Sequence, residues 1–141
     1  MMKKFEGKNG VLFIILVIVY NLLPLYFFIF NQEEAFESVW MIILWILWYL
    51  LSLLFTPSLF RNKIELYDDY FIFYYGFFKR KYNIQDIKHM AKTKSLFAGT
   101  ANSSERITIL TNDYRDFYVS LKDNDGFIEE FKKIKALKKE D

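Results

Sequence analysis

Two long apolar runs dictate most of what this chain can become. Val11–Phe30 reads VLFIILVIVYNLLPLYFFIF and Val39–Phe60 reads VWMIILWILWYLLSLLFTPSLF, and neither holds a charged residue. Only NQEEAFES, residues 31–38, separates them. About twenty residues of α-helix rise about 30 Å, the hydrocarbon thickness of a bilayer. A backbone in lipid satisfies its own amides only as a helix or a closed barrel. Each run is therefore expected to be a transmembrane helix, and the pair a hairpin over 11–60.

The whole-chain averages, 53% hydrophobic and 26% charged, resemble those of a soluble protein and hide a sharp partition. Residues 11–60 carry three charges, Glu33, Glu34 and Glu37, all in the break. Residues 61–141 carry 16 Lys/Arg against 13 Asp/Glu, a net +3. That length suits one small domain, and that charge is too weak to argue for nucleic acid. With no cysteine in the chain, disulfides, thiolate metal sites and a cysteine nucleophile are excluded.

Lysines 3, 4 and 8 resemble the basic start of a signal peptide. The apolar run is longer than a usual leader, no A-x-A-like site follows, and a second span comes at once, so retention is expected. Arg61 and Lys63 follow the second run, while the connecting loop has neither lysine nor arginine. The excess of positive charge then places residues 1–10 and 61–141 in the cytoplasm and loop 31–38 outside, as a multi-pass protein of the plasma membrane. Within the spans, Asn21 and Pro24 point to helix packing and a kink, with a ligand groove inside the membrane as the sharper alternative. Trp40 suits an interfacial belt. Trp45 and Trp48 lie too deep for one and read as packing surface, including toward a partner protein.

After Lys63 the pattern changes to short runs rich in aromatic and β-branched residues. KIELY, a turn at Asp68-Asp69 and YFIFYY predict a hairpin, and Gly76 marks the next reversal into FFKRKYNI. A fourth strand centres on Ile87–Ala91, a polar loop covers Thr93–Glu105, and RITILT with RDFYVS predicts a second hairpin about Asn112-Asp113. Phe127, Ile128, Phe131, Ile134 and Leu137 recur with helical spacing, predicting an amphipathic helix over 121–138 with Ser120 as N-cap and Asp123 supporting it. Six strands and one closing helix predict a small β-barrel or sandwich plugged by the helix.

This order of elements resembles the bacterial pleckstrin-homology-like (PH-like) domain proteins. The likeness is most specific at Ser95 and at Ala101-Asn102-Ser103-Ser104-Glu105-Arg106-Ile107, where the family tends to show a serine and then A-L-S-x-D/E-R-hydrophobic. It continues at Val119-Ser120 with Asp123. Asn102 stands where the family tends to have leucine, and Leu121 where it has proline. The resemblance covers roughly 63–137 and implies a PH-like fold. Some small membrane proteins with similar domains act in self-immunity to bacteriocins, the sublancin type among them, so immunity is one implied role.

Candidate surfaces follow. Phe77, Phe78, Lys79, Arg80 and Lys81 form a basic-aromatic cluster suited to membrane-surface contact, against the plainer reading of a solvated strand face with Phe78 in the core. Ser103, Glu105 and Arg106 are candidates for a partner or anion contact, against a structural bond from Arg106 to loop carbonyls. The strand Tyr70–Tyr75 is apolar on both faces, and an intramolecular cover is expected for the outer one. His89, in phase with Ile87 and Ala91, is expected to pack inward.

Phosphate loops, G-x-S-x-G and H-E-x-x-H are missing, and Asp123-Asn124-Asp125-Gly126 lacks the remaining ligands of a calcium loop. No enzyme, metal or cofactor is expected. A channel or transporter finds little support, since neither span holds a charge. The expected function is a non-catalytic, membrane-anchored PH-like binding module, in one version protecting against an antimicrobial peptide. The alternative is an anionic-lipid-binding or regulatory scaffold subunit of a membrane complex. The partners to weigh are the bilayer, anionic lipid, a protein or peptide, and a second copy of the chain.

Overall fold

The computed structural model describes residues 2–94 and 101–140. Strand β1 (Lys3–Glu6) precedes helix α1 (Val11–Phe30), the short α2 (Gln32–Ala35) and helix α3 (Val39–Phe55), which runs into a 3-10 turn over Thr56–Leu59. Six strands follow: β2 (Asn62–Leu66), β3 (Tyr70–Tyr75), β4 (Phe78–Asn83), β5 (Ile87–Lys94), β6 (Glu105–Thr111) and β7 (Asp116–Val119). Helix α4 (Asn124–Glu140) closes the chain.

Both apolar helices are long enough to cross a membrane, and only 11% and 6% of their most apolar windows is buried within the molecule. They are therefore not buried in the core of this molecule. Ser38 caps α3, its hydroxyl accepting from Met41 N at 3.4 Å.

The strands form two antiparallel sheets, β1-β2-β3-β4 and β5-β6-β7. Alternation along each strand sends Ile64, Leu66, Phe71, Phe73 and Tyr75 from the first sheet, and Ile87, Met90, Ile107, Ile109 and Val119 from the second, into one shared core. Phe127 and Phe131 of α4 close it, and Phe127 sits edge-on to Phe5 of β1 at 5.3 Å and to Phe71 at 5.8 Å. Burying each such phenylalanine contributes roughly 1.5–3 kcal/mol.

The sheets form a sandwich and do not close into a barrel. At one corner they meet through β1: Lys8 N donates to the Ser120 carbonyl at 2.9 Å and Lys122 N to that of Glu6 at 2.9 Å, around a Gly7–Leu121 bridge. Beyond the β4 edge the gap to the second sheet is filled by side chains, with Tyr82 stacked on Phe117 at 4.5 Å.

Five expectations change. Residues 3–6 are a strand of the sandwich, although the sequence reads there as a flank; β1 pairs along β2 with Phe5 opposite Ile64. The apolar hairpin is thus inserted between the first two strands of the domain. Helix α4 begins at Asn124, later than position 121, because residues 120–122 are still tied to β1. Asp123 is its cap, accepting from Gly126 N at 2.9 Å, while the Ser120 hydroxyl donates to the Glu105 carbonyl. Leu137, near the helix end, is exposed. His89 also points outward: a β-bulge between Ile87 and His89 shifts the alternation, and Met90 takes the inward position.

Candidate functional site

The chain reverses between β3 and β4 at Gly76, whose φ of +60° is in the left-handed region that glycine enters without a Cβ clash. Its N–H donates to the Arg61 carbonyl at 2.7 Å, and a Cβ there would meet Ser58 N at 3.2 Å and Pro57 Cβ at 3.4 Å. The turn is thereby seated on the 3-10 segment that ends the second apolar helix. Phe77 and Phe78 project from it 70% and 56% exposed, and Phe60 beside the same segment is 89% exposed. Three large aromatic rings thus stand uncovered at the junction of hairpin and sandwich, a composition found where proteins meet a membrane interface. Phe78 is not in the core: it opens β4 opposite Tyr75 at the rim of the sheet.

Lys79, Arg80 and Lys81 are all exposed, but alternation divides them. Lys79 and Lys81 lie on the outer face of the first sheet, with their ammonium groups 5.5 Å from the Tyr74 ring and 4.1 Å from the Tyr70 ring. Arg80 turns to the other face, over Tyr82 at 5.4 Å. Arg61 and Lys63 also lie over Tyr74, at 4.6 and 4.9 Å. The outer aromatic face of β3 is covered intramolecularly by cationic side chains from its neighbours, each stacked on a ring face. Glu65 sits among them: burial pushes its carboxyl up, but bonds from Lys63, Tyr67 and Tyr74 hold it below the usual range.

At the same end of the sandwich, Asn102 is buried and bonded on all sides. Its amide donates to Asn9 Oδ1 at 2.8 Å and to Ser58 Oγ at 2.9 Å, and its Oδ1 accepts from the Tyr75 hydroxyl at 2.6 Å. Its carbonyl accepts from Gly10 N at 2.7 Å. One side chain therefore joins the segment before α1, the end of the second apolar helix and the core of the first sheet. Sequence reasoning recorded Asn102 as a departure from leucine and missed this role. No local signal marks it, since Asn9, Gly10 and Ser58 are distant from it in sequence.

Ser103 and Arg106 are also buried, and Arg106 Nε donates to the Ser103 carbonyl at 3.0 Å, with its guanidinium 5.6 Å from the Tyr118 ring. Burial pulls the Arg106 pKa down. Glu105 is exposed and pairs with Lys8 at 3.3 Å. Ser95, the first residue of the family-like pattern, lies outside the described residues. The Arg106 side faces a cleft of about 490 Å³ between this segment and the start of α1.

Between the apolar helices, Pro24 removes the N–H that would have bonded the Tyr20 carbonyl. Trp48 supplies the replacement: its indole Nε1 donates to that carbonyl at 2.9 Å, and the Tyr20 hydroxyl donates in return to the Trp48 carbonyl at 2.9 Å. The two rings stack at 4.4 Å. Asn21 Oδ1 accepts from Ser52 at 2.7 Å, its amide donates to the Val17 carbonyl and Thr56, and its carbonyl accepts from Tyr49 at 3.1 Å. Trp45 donates to the Ala35 carbonyl at 2.9 Å. All four candidates are engaged within the hairpin.

Among the described residues, no cluster of three His, Cys, Asp or Glu side chains is placed to hold a metal. No curated protein matches the chain. Among solved structures, it is similar to the C-terminal domain of an unknown protein from Leishmania infantum, at 12% identity and a TM-score of 0.40, over 49% of this chain and 62% of that one. The family model described as bacterial PH domain matches residues 56–135. That is more than half of the chain, and among the described residues it takes in six of the seven strands and most of the closing helix. The chain belongs to the bacterial PH domain family.

Proposed function

We propose that the protein is a membrane-anchored binding module whose sandwich rests its β3–β4 turn in the headgroup layer beside its own anchor. The observation that carries this is the seating of Gly76 on Ser58 and Pro57, which brings Phe77 and Phe78 level with the end of an apolar helix. Aromatic rings at that depth, flanked by Arg61 and Lys79, suit the boundary between acyl chains and anionic headgroups. The pairing of β1 with β2 supports retention of both spans, since cleavage after the first would remove a strand of the sandwich. It also puts Lys3, Lys4 and Lys8 on the same side as Arg61 and Lys63, which supports cytoplasmic termini. Self-protection against an antimicrobial peptide rests on the family resemblance alone.

The absence of cysteine makes site-specific labelling of the full chain straightforward. Phe77→Cys and, in the β6–β7 turn at the opposite end of the sheets, Asn112→Cys would each carry an environment-sensitive dye in nanodiscs containing phosphatidylglycerol. The expected result is a blue-shifted dye at position 77, quenched by spin-labelled lipid, and a solvent-like, unquenched dye at 112. Equal quenching at the two positions, or none at 77, overturns the reading.

A further inference from the structure

We propose that the open edge of β4 binds an extended acidic segment of a partner protein, which adds to the first sheet as a fifth strand. This goes beyond the reading of the protein as a membrane-anchored binding module and stands whether or not Phe77 meets lipid.

Among the described residues, strand β4 pairs with β3 alone, so one side of it carries main-chain groups with no strand to meet. Which groups these are follows from the turn. Gly76 and Phe77 form a two-residue connection between the paired Tyr75 and Phe78. Gly76 N bonds back to the Arg61 carbonyl of the β2 side, so Tyr75 turns its own N–H and C=O to Phe78. Alternation then commits Phe78, Arg80 and Tyr82 to β3 and leaves the N–H and C=O of Lys79, Lys81 and Asn83 pointing off the edge. The register with β3 runs unbroken over all six residues, about 20 Å, and none of them is proline. Lysines on an edge ordinarily blunt it. Here the ammonium groups of Lys79 and Lys81 lie back over the Tyr74 and Tyr70 rings, across the face of the sheet, and leave the edge itself open.

Charge and shape specify the occupant. Lys79, Arg80 and Lys81 are exposed, and among the described residues none of them is within ion-pair distance of a carboxylate. Asp69, whose carboxyl feels Lys81, is bonded to Lys138. Two copies of β4 paired edge to edge would set the same cations against one another, which disfavours a second copy of this chain. Acidic side chains on an incoming strand would instead stand beside Lys79 and Lys81 on the outer face. Its alternate side chains would point to the other face, where Tyr82 stacked on Phe117 floors a cleft of about 490 Å³ between Arg80 and Asp116. The three cations and three carboxylates lining that cleft balance, with Arg115 and Asp113 paired at 3.5 Å, so small apolar side chains suit its aromatic floor. The partner is thus a segment in which acidic and apolar residues alternate, held by main-chain hydrogen bonds and selected by its side chains.

The test is fluorescence anisotropy of dye-labelled octapeptides added to the full-length protein in uncharged detergent micelles. One peptide alternates glutamate and valine, a second has the same residues as a glutamate block followed by a valine block, and a third alternates lysine and valine. The first should saturate one site per chain, and the other two should bind about tenfold more weakly, the size of two favourable cross-strand pairs. Lys79→Glu combined with Lys81→Glu should invert the preference between the glutamate and lysine peptides. Lys81→Pro, which removes an edge N–H that β3 does not use, should weaken binding more than Lys81→Gln. Phe77→Ser should leave binding unchanged, which separates this edge from the docking turn. Equal binding of the alternating and block glutamate peptides, no binding of either, or an unchanged preference in the double reversal overturns the proposal.

Discussion

The hairpin and the sandwich of this protein are held together by opposite means. In the sandwich, Phe71, Phe127, Ile107 and their neighbours lose nearly all contact with solvent, and apolar burial supplies the cohesion. In the hairpin, Leu16, Leu47, Leu50 and Ile46 stay half exposed. On the reading of the hairpin as a membrane anchor, an apolar side chain gains nothing by leaving a helix surface, so association comes from packing and hydrogen bonds. Those bonds are the ones observed: Trp48 with Tyr20, Ser52 and Thr56 with Asn21, Tyr49 with the Asn21 carbonyl. Apolar residues build one half, and the few polar residues build the other.

The largest way to break that comparison is to remove the same chemistry from both halves. Phe127→Ala deletes a fully buried ring touching Phe5, Phe71 and Phe131, and should cost the sandwich about 3–5 kcal/mol. Leu47→Ala deletes a half-exposed side chain of the hairpin and, on the reading of the hairpin as a membrane anchor, should leave stability nearly unchanged. The chain provides its own reporters, because its three tryptophans, at 40, 45 and 48, all lie in the hairpin. In detergent micelles, tryptophan fluorescence follows the helices while tryptic cleavage follows the lysine-rich sandwich. Phe127→Ala should accelerate cleavage with little change in fluorescence. A comparable loss in Leu47→Ala would mean that the helices pack as a soluble core does.

A smaller effect is expected where the two halves are joined. Asn102→Leu installs the residue the family tends to carry and leaves the Tyr75 hydroxyl, Asn9 Oδ1 and Ser58 without their partner. Each buried group so orphaned costs about 1–3 kcal/mol, reduced where water can enter from the cleft. The denaturation midpoint of the sandwich should fall, and tryptophan emission should respond as well, because Ser58 and Asn9 sit at the feet of both helices. If only the sandwich responds, the junction is looser than its hydrogen bonds imply.

What the sequence revealed follows the same division. The two helices were legible because twenty uncharged apolar residues admit few other structures, and β2 to β7 because strand alternation and turn residues are local signals. Strand β1 was not legible. Lys-Lys-Phe-Glu has no strand pattern of its own, and its conformation comes from pairing with β2 across residues 7–61, which contain the hairpin. His89 was assigned inward because alternation was counted through a bulge that only the β6 pairing produces. The basic run 79–81 was visible as charge, but not that its members would part to two faces over three tyrosines. Asn102 could be noticed and not interpreted, since its four partners come from three separate segments of the chain.

The finest distinction concerns why Trp48 sits so deep in its span. If the indole is there to bond the carbonyl that Pro24 leaves open, its value depends on the proline. Trp48→Phe keeps an aromatic ring for stacking on Tyr20 and removes only the N–H, so the expected cost is about 0.6 kcal/mol and at most about 1.7, the range of hydrogen bonds between membrane helices. Pro24→Ala restores a backbone N–H to the Tyr20 carbonyl and straightens the ladder. In that background Trp48→Phe should cost measurably less, so the two substitutions should be non-additive. Equilibrium denaturation of the four variants in micelles, followed by emission of the remaining tryptophans, reads the coupling directly. Additive costs would show that Trp48 acts through its ring alone, and that the polar bonds of the hairpin matter less than its packing, which would draw the two halves of the molecule closer in kind.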